Sequence, residues 1–549
     1  MEVLGAGGLN RRPPATPRLR DGREEIGVGE FPWAADERNG PLSEVSMDSF
    51  LDKHRDKIVG VLSCFDRIVF KGYLPFVYPE ALQRFLDAHG VLYKDYKAFV
   101  LKTSERIKDH ARAMAQKAGR PYCRLTAPLR KEDFVRKIAD RDRIARGLVC
   151  VLSSIETCRS FVVRPGKGRP HLESAPRKCQ HLYFYFLDPE FGLMYIRLQT
   201  WFPFTIQIGL NGHDWLARKM TRHGLRFRQL DNAFVGIDDV ARAQRFADAF
   251  PRKKWPRILH AFARRVNPLL QDLLRGFPYY WVTDQAEYAT DLVFRDLASL
   301  NALYSKLLRH ATVCFSAEDV MTFLGRKPHG GFRGEVLSDF KRRWLGARVK
   351  HRMKDNWIKM YDKHGVVLRI ETVINHPYEF KIRRRGTRDG KSVLGWFPLP
   401  KGVAYLGRYA EVALAANRRY LEALSAVEDP SAAYRLLDAV CEPVAVASRR
   451  RRRGLNPLRL DDVRLFAAAL RGEHALHGFR NRDLARHLVA SSPKDPAEAK
   501  RQTARINRQI HLLRAHGLVA KVPRARRYRV TLNGDVLMSA ALYLRQEEI

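Results

Sequence analysis

The fold of the middle of this chain is decided by the stretch NWIKMYDKHGVVLRIETVIN, residues 356–375. Residues with strand propensity lie on both sides of His364-Gly365, a pair that suits a tight turn. The pattern therefore predicts two antiparallel strands joined at that turn.

Charged and hydroxyl side chains are spaced along both predicted strands. They could line a catalytic centre, or they could form cross-strand pairs such as Tyr361, Lys363, Arg369 and Glu371 on a solvated surface. Because the basic run KRRWLGARVKHRMK (341–354) comes directly before the hairpin, we expect a solvated β-face at the edge of a basic groove. Within this face Glu371, in mid-strand, is the candidate for chemistry.

The composition points to a partner with negative charge. The chain has 549 residues, with 99 Lys and Arg against 59 Asp and Glu, a net charge of +40. Nucleic acid is the commonest partner of so basic a protein, because neutralised phosphates release their counterions. An anionic membrane is the rival, but no apolar run is long enough to span a bilayer. A basic proteome would also explain the charge.

Cysteine usage bears on the compartment. Seven cysteines are present, without any CxxC pair and without a secretory signal sequence before them. This pattern argues for a reducing cytoplasm and against a disulfide or zinc framework. We therefore expect a cytoplasmic protein.

The chain is long enough for two to four domains. Residues 1–46 are rich in Gly, Pro and Arg and predict a disordered basic extension, and Met47 is a plausible native start. Residues 47–316 predict an α+β domain and residues 317–440 a basic domain containing the β-hairpin. Residues 441–458 are interpreted as an Arg-rich linker, and residues 459–549 as a separate C-terminal module.

The first half mixes helices and strands. CFDRIVFKGYL, which begins at Cys64, predicts a strand, and HLYFYFLDPEFGLMYIRLQTW (181–201) predicts two strands around a turn. Amphipathic patterns such as RILHAFARRVNPLLQDLL predict helices among them. Neighbouring strands that form hairpins indicate an α+β fold class, a mixed multi-domain body, rather than a doubly wound parallel sheet.

The C-terminal module has the clearest pattern. Three amphipathic helices are predicted, followed by strand, basic turn, strand and helix. With LRAHGLV (513–519) and RRYRVT (526–531), this order resembles the winged helix-turn-helix DNA-binding domains of bacteria. The resemblance implies a third helix that enters the major groove and a wing that contacts phosphates.

Charge agrees with that expectation, since 23 Lys and Arg face nine Asp and Glu from residue 449 onward. The candidate nucleic-acid-binding residues of the whole chain are the basic side chains of the run before the hairpin, of the linker and of the module. They are Lys341, Arg342, Arg343, Arg348, Lys350, Arg352, Lys354, Arg449, Arg450, Arg451, Lys500, Arg501, Arg505, Arg508, Arg526, Arg527 and Arg529.

The body offers acids rather than a complete catalytic motif. It has no Walker loop, no GxGxxG after a strand, no HExxH and no GxSxG, so no nucleotide cofactor is expected. Asp66 lies in the first strand, Glu371 lies in the hairpin, and Glu287 and Asp291, four residues apart, would share one face of a helix. These four acids are candidate ligands for Mg²⁺ or Mn²⁺ in phosphodiester chemistry.

Other polar positions have both a structural and a chemical interpretation. Asp231-Asn232 is interpreted as a turn, although Asp231 is also a candidate acid. Asn211 to Asp214 predicts the start of a helix, and His213 there is a candidate phosphate ligand or general base.

Two segments resemble parts of the rolling-circle replication initiators of phages and plasmids. FDRIVFKGYLP supplies Asp66, and NWIKMYDKHGVVLRIET supplies Tyr361-Asp362-Lys363 and the strand that ends in Glu371. The resemblance implies that Asp66 and Glu371 are metal-site acids and that a tyrosine attacks phosphate, for which Tyr288 is the candidate. The family's His-hydrophobe-His metal motif is absent. The chain also resembles uncharacterised winged-helix proteins of bacterial mobile elements.

We therefore expect a DNA-processing protein of a mobile or extrachromosomal element, acting in transposition or replication, that binds DNA through its C-terminal module and nicks or cuts it with a divalent metal. Two alternatives stay open: a non-enzymatic winged-helix regulator, which could oligomerise, and an RNA-binding protein. RNA would stack on the aromatic side chains of the 181–201 hairpin. These are Tyr183, Tyr185, Phe186 and Trp201.

Overall fold

The computed structural model divides the chain into two units, Met1–Glu44 and Val45–Ile549, and only the second contains described residues. Those residues are 48–125, 130–166, 170–326, 335–343, 346–425, 427, 438, 440–446, 450–474, 478–489, 495–522 and 525–546. The extension predicted at residues 1–46 lies outside them.

The strands of the body account for most of its architecture. In chain order they are β1 (Ile58–Tyr73), β2 (Tyr122–Arg124), β3 (Gly147–Arg164), β4 (His171–Asp188), β5 (Gly192–Gln199), β6 (Ile206–Asn211), β7 (Phe227–Leu230), β8 (Ala233–Ile237), β9 (Tyr280–Phe294), β10 (Val336–Arg343), β11 (Gly346–Met353), β12 (Asn356–Lys363) and β13 (Val367–Ile374).

Eleven of these strands form one sheet, in the order β10-β11-β12-β13-β9-β1-β6-β5-β4-β3-β2. Neighbouring strands are antiparallel except β2 and β3, which are parallel. β7 and β8 form a separate hairpin. The predicted hairpin is present as β12 and β13, and every side chain of β13 is buried. The prediction of an α+β fold is confirmed.

The helices of the body pack against this sheet. They are α1 (Asp48–Lys53), α2 (Pro79–Ala88), α3 (Tyr96–Lys117), α4 (Lys131–Arg141), α5 (Gly212–Arg222), α6 (Val240–Ala249), α7 (Trp255–Val266), α8 (Leu297–Val313), α9 (Ala317–Phe323) and α10 (Leu406–Leu424).

Helix α10 covers one face of the central strands β9 and β13. Its buried Asn417 accepts a hydrogen bond from the Thr372 hydroxyl at 2.7 Å and donates to the Thr290 hydroxyl at 3.1 Å. Buried polar groups of this kind need partners, and here they link the helix to both strands. The opposite face of the same strands is free to carry the candidate site.

The boundary predicted between residues 316 and 317 does not separate two sheets. β9 comes from the predicted N-terminal domain and β13 from the predicted basic domain, yet the two pair along eight residues from Val367 to Ile374. The prediction of two domains there is corrected, because short strand patterns in a sequence do not reveal which distant strands pair.

The rest of the chain adds small elements. They are the hairpin β14 (Lys381–Arg388) and β15 (Lys391–Pro398), the short pair β16 (Val444–Val446) and β17 (Arg450–Arg452), and the C-terminal elements α11 (Leu460–Ala469), α12 (Asn481–Leu488), α13 (Pro496–Ala515), β18 (Val519–Lys521), β19 (Tyr528–Val530) and α14 (Leu532–Gln546).

The C-terminal module has the predicted order of elements and a hydrophobic core of its own, which includes Phe466, Ile510, Leu513 and Met538. The segment predicted as a linker, 441–458, contains β16 and β17, so it is more ordered than predicted. Among the described residues no helix combines the length and the apolar character needed to cross a membrane.

Candidate metal centre on the central strands

Five neighbouring strands, β12, β13, β9, β1 and β6, bring polar side chains to the face opposite α10. Asp66 reaches this face at a β-bulge, where Asp66 and Arg67 of β1 together oppose the single residue Glu287 of β9. A bulge redirects a side chain and is common beside active sites. The bulge therefore brings the Asp66 carboxylate next to Glu287.

Three of the predicted metal ligands come together on this face. One carboxylate oxygen from each of Asp66, Glu287 and Glu371 lies within 4.8 Å of the other two. The three residues, the acidic cluster, belong to three adjacent strands, β1, β9 and β13. Glu371 is 1 % exposed, whereas the Glu287 side chain keeps 14 % of its surface in solvent. The cluster is thus buried at its base and open at Glu287.

Strand β12 supplies a cation and a hydroxyl to this cluster. Lys359 pairs in register with Glu371, and its ammonium group donates to one Glu371 oxygen and lies 3.8 Å from Glu287. The Tyr361 hydroxyl donates to the other Glu371 oxygen at 2.5 Å. Both oxygens of Glu371 are therefore held in place.

Arg369 occupies the other end of the polar face and is fully buried. Its guanidinium donates two hydrogen bonds to Asp291, at 2.6 and 2.7 Å, and one to Asp66 at 3.1 Å. This fork geometry suits carboxylates, and the two aspartates share the guanidinium charge. Asp291, a predicted metal ligand, is therefore in an ion pair and is not part of the acidic cluster.

The start of α5 presses against β1 beside the bulge. A Cβ at Gly212 would lie 2.1 Å from the Phe65 carbonyl oxygen, so only glycine allows this approach. The preceding Asn211 caps α5 through its side-chain oxygen, at 2.8 Å from the His213 amide, and its side-chain nitrogen donates to Asp66 at 2.9 Å. The helix cap thus also orients the site.

His213 lies between the two buried aspartates. Its Nε2 is 3.0 Å from a guanidinium nitrogen of Arg369, and its Nδ1 is 3.5 Å from Asp66. Because the guanidinium can only donate, Nε2 is the acceptor in that contact, and Nδ1 carries a proton that faces Asp66. The predicted candidate His213 is thus inside the polar network.

Asn232 closes the network from the β7–β8 hairpin. Its side-chain nitrogen donates to Asp66 at 3.1 Å, its carbonyl accepts from Arg369 at 2.8 Å, and its side-chain oxygen accepts from Lys363 at 2.5 Å. Asp231, in the turn with φ +52°, points to solvent, where it lies 3.6 Å from Lys363. The interpretation of Asp231-Asn232 as a turn is confirmed.

The environment separates the carboxyl groups into two kinds. Burial raises the pKa of Asp66, but His213, Arg369 and Lys363 outweigh burial and hold that pKa well below its usual range. For Asp291 burial likewise opposes Arg369, and the pKa is lowered. Burial and the neighbouring Glu371 raise the pKa of Glu287 to about 8. The acidic cluster is therefore crowded with negative charge, whereas the Arg369 end is compensated.

Two predictions about this region are wrong. The hairpin charges do not form a solvated face, because Arg369, Glu371 and Tyr361 are buried inside an eleven-stranded sheet. Glu287 and Asp291 are on strand β9 and not on a helix. On a strand residues four apart also share a face, so the two acids still point to the same side.

Tyr288, the predicted nucleophile, does not belong to the acidic cluster. It points to the α10 side of β9, is buried, and its hydroxyl lies 3.4 Å from the Ser63 carbonyl. The tyrosine at the cluster is Tyr361. Its pKa is raised well above the normal value by burial and by Glu371, so it is a protonated hydrogen-bond donor.

Residues that the sequence did not single out are Lys359, Asn211 and Asn232. A usable signal existed for Lys359, because Lys359, Tyr361 and Lys363 alternate along one strand and must share a face. Asn211 ends strand β6 and Asn232 lies in the β7–β8 turn, and their convergence on Asp66 depends on the packing of distant segments.

The predicted nucleic-acid-binding residues are spread over several surfaces. Lys341, Arg352 and Lys354 are exposed and Arg348 and Lys350 half-buried on β10, β11 and the turn after β11, with Lys354 paired to Glu379 at 2.8 Å. Exposed basic residues of the module and the segment before it include Arg451, Lys500, Arg501, Arg505, Arg508, Arg526 and Arg529, and Arg527 is half-buried. Arg449 and the side chains of Arg342, Arg343 and Arg450 lie outside the described residues.

The aromatic side chains predicted to stack on RNA are not available for it. Tyr183, Tyr185 and Phe186 are buried in β4, and Trp201 is half-buried with the Arg177 guanidinium 5.8 Å from its ring. Tyr183 also donates to Glu156 at 2.7 Å. That route to RNA binding is therefore not supported by the structure.

No family model, curated protein or solved structure matches this chain. Its function must therefore be argued from the site itself. Three carboxylates from separate strands, held by hydrogen bonds and open to solvent on one side, are a donor set suited to a hard divalent cation.

Proposed function

We propose that this protein is a DNA-processing enzyme of the kind carried by mobile or extrachromosomal elements, which cuts or nicks phosphodiester bonds with a divalent metal. The observation that carries the proposal is the convergence of Asp66, Glu287 and Glu371 to within 4.8 Å. Metal-dependent phosphodiester cleavage uses carboxylates gathered in this way from different elements.

The acidic cluster fits Mg²⁺ or Mn²⁺ in the nature of its donors. All three ligands are carboxylate oxygens, the class that these ions prefer, and Glu287 holds a proton up to about pH 8 because burial and the Glu371 charge outweigh the nearby Lys359. A cation bound there would polarise a phosphoryl oxygen and lower the pKa of a water molecule.

The surrounding side chains have roles that follow from their contacts. Tyr361 and Lys359 fix the orientation of Glu371, and Arg369 and Asn211 fix Asp66. Lys359 is 15 % exposed beside the open Glu287 end, where it can attract a phosphate. His213 is sealed from solvent, so it positions Asp66 rather than acting as a general base.

Two features favour a polymer as the substrate. The cleft beside Asp66, lined by Arg67, Arg136 and Asn211, has a volume of about 50 Å³, enough for water but not for a small-molecule substrate. The C-terminal module displays exposed Lys500, Arg501, Arg505 and Arg508 on α13. We propose that the module is a winged helix-turn-helix, with α13 as the recognition helix and the β18–β19 hairpin as the wing.

The test is incubation of the full-length protein with supercoiled and single-stranded DNA and Mg²⁺ or Mn²⁺. We expect nicking that Glu371→Gln abolishes and that Glu411→Gln, at an exposed glutamate on α10, preserves. Calorimetric Mn²⁺ binding provides a second readout, which Glu371→Gln should weaken and Glu411→Gln should not. Nicking unaffected by Glu371→Gln would remove Glu371 from the site.

A second candidate function is a DNA-binding regulator without catalysis. It is favoured by the ion pairs, since Arg369 compensates Asp66 and Asp291, and Lys359 bonds Glu371. Such a network can be structural. Specific DNA binding with neither nicking nor Mn²⁺ binding under any of these conditions would favour the regulator.

A further inference from the structure

The hairpin β14–β15 carries a surface that neither the sequence motifs nor the proposed site uses. Within the described part of the chain its two strands pair with each other alone and lie outside the eleven-stranded sheet. It follows β13 in the chain and starts ten residues after Glu371. Its 18 residues include six Lys or Arg and one acid, Asp389.

The two faces of this hairpin differ sharply. Towards the body, Ile382 joins the main hydrophobic core. Phe397 on that face lies against the backbone of Gly386, where a Cβ would be 2.7 Å from its ring, and under the Arg384 guanidinium at 5.2 Å. This inner face is therefore packed, and its Arg384 guanidinium is in contact with an aromatic ring.

The outer face presents basic and apolar side chains side by side. Register pairs Arg383 with Trp396 and Arg385 with Leu394, so each arginine stands directly across from an apolar group. Trp396 is 50 % and Leu394 59 % exposed. Among the described residues no carboxylate lies within ion-pair distance of Arg383 or Arg385. Exposed apolar side chains that lie together with polar groups around them are typical of interaction sites.

We infer that this outer face binds single-stranded DNA, with an unpaired base stacked on Trp396 and the adjacent phosphates on Arg383 and Arg385. This inference rests on the proposed function and specifies the form of its substrate. Bases in a duplex show only their edges, whereas an unpaired base offers the flat surface that an indole can cover. The arginines match a phosphate backbone in charge and geometry.

The experiment measures binding of the full-length protein to a fluorescein-labelled thymidine oligonucleotide, with EDTA present so that no cleavage occurs. We expect Trp396→Ala to weaken single-strand binding about tenfold, since stacking contributes about 1–3 kcal/mol per base. Trp396→Phe should retain most of the affinity, and binding of a duplex should not change. Tyr78→Ala, at an aromatic residue that is 52 % exposed elsewhere, is the matched control and should have no effect.

Salt dependence separates the two kinds of contact. The double variant Arg383→Ala/Arg385→Ala should reduce the slope of log affinity against log salt by about 0.7 for each arginine, whereas Trp396→Ala should leave the slope unchanged. Circular dichroism and thermal melting establish that each variant is folded.

Several outcomes would overturn the inference. Wild-type affinity in Trp396→Ala, equal losses for duplex and single strand, or a loss confined to RNA of the same sequence would each do so. If the wild-type protein bound no DNA of either form, the proposed function itself would fail. If it bound and nicked DNA while both hairpin variants behaved as wild type, only the role of the hairpin would be lost.

Discussion

The two ends of the polar face on the central strands are built from the same residue types but reach different electrostatic states. At one end the buried side chains of Arg369 and His213 lie between Asp66 and Asp291, and the pKa of both carboxyl groups is lowered. At the other, Glu287 and Glu371 share one lysine, and the pKa of Glu287 rises to about 8.

The difference separates a scaffold from a binding site. A buried carboxylate whose pKa is held low by neighbouring cations needs no further partner, whereas a crowded pair is relieved by a cation. Asp66 takes part in both ends, because it accepts from Arg369 and contributes to the acidic cluster. The compensated end therefore holds in place a carboxylate that the crowded end uses.

The largest expected effect on stability is that of Arg369→Ala, at the compensated end of the polar face. It leaves Asp66 and Asp291 buried without their cation, and we expect the free energy of unfolding to fall by about 3–5 kcal/mol. Urea denaturation measures it. The control is Arg408→Ala, which removes an exposed ion pair with Glu411 and should cost no more than about 1 kcal/mol. Equal losses in the two variants would show that the Arg369 end is not a scaffold.

Glu287→Gln examines the crowded end through its pH dependence. The unfolded chain releases the Glu287 proton near the ordinary glutamate pKa of 4.5, whereas the folded protein keeps it until about pH 8. The folded state thus binds more protons in this window, so wild-type stability falls as pH rises from about 5 to about 8. The variant lacks this titration, and its stability relative to wild type should rise by a few kcal/mol across the window.

Urea denaturation at both ends of the window measures the difference. Added Mg²⁺ at the higher pH should stabilise the wild type and have a weaker effect on Glu287→Gln, because one ligand is missing. Parallel pH profiles for the two proteins would contradict the crowding of Glu287 and Glu371.

Gly212→Ala tests the close contact between α5 and β1, which helps to position Asp66. The new methyl group would meet the Phe65 carbonyl oxygen and push α5 away from β1, at a cost of about 1–3 kcal/mol. Gly407→Ala is the matched control: it lies in α10, and its Cβ would have no neighbour within 4 Å. Thermal melting should show destabilisation only for Gly212→Ala, and equal behaviour would mean that the α5 contact is not tight.

The smallest effects are expected where charges are exposed. Arg505→Ala and Arg508→Ala on α13 should leave stability unchanged and reduce the salt slope of DNA binding by about 1 each. Arg408→Ala serves again as the control and should not alter the slope. An unchanged slope in the α13 variants would remove that helix from the DNA interface.

Local pattern was enough to predict much of the fold. Alternation and turn residues predicted β12 and β13, and helical periodicity with a basic turn predicted the order of elements in the C-terminal module. The sequence pattern gave a wrong prediction for β9. Its segment AEYATD has helix-forming residues and acids four positions apart, which suggested a helix. Pairing with β1 and β13 on both sides overrides that propensity.

The candidate site was only partly predictable. Asp66 and Glu371 were predicted on strands and Glu287 on a helix, but their meeting depends on a bulge in β1 and on the pairing of β9 with β13. Neither leaves a signal in a single sequence. Burial was misjudged for the same reason, since a hairpin with charged residues is expected to be solvated unless further strands flank it.

The order of strands in the sheet also determines when the acidic cluster can form during protein synthesis. Asp66 and Glu371 are separated by 305 positions in the chain, and neighbouring β1 and β9 by more than two hundred. At synthesis rates of about 5–20 residues per second, roughly 15–60 s pass between the emergence of the first carboxylate and the last. Throughout that interval a nascent chain lacks the complete acidic cluster, so a ribosome that stalls before β13 releases a fragment unable to assemble it.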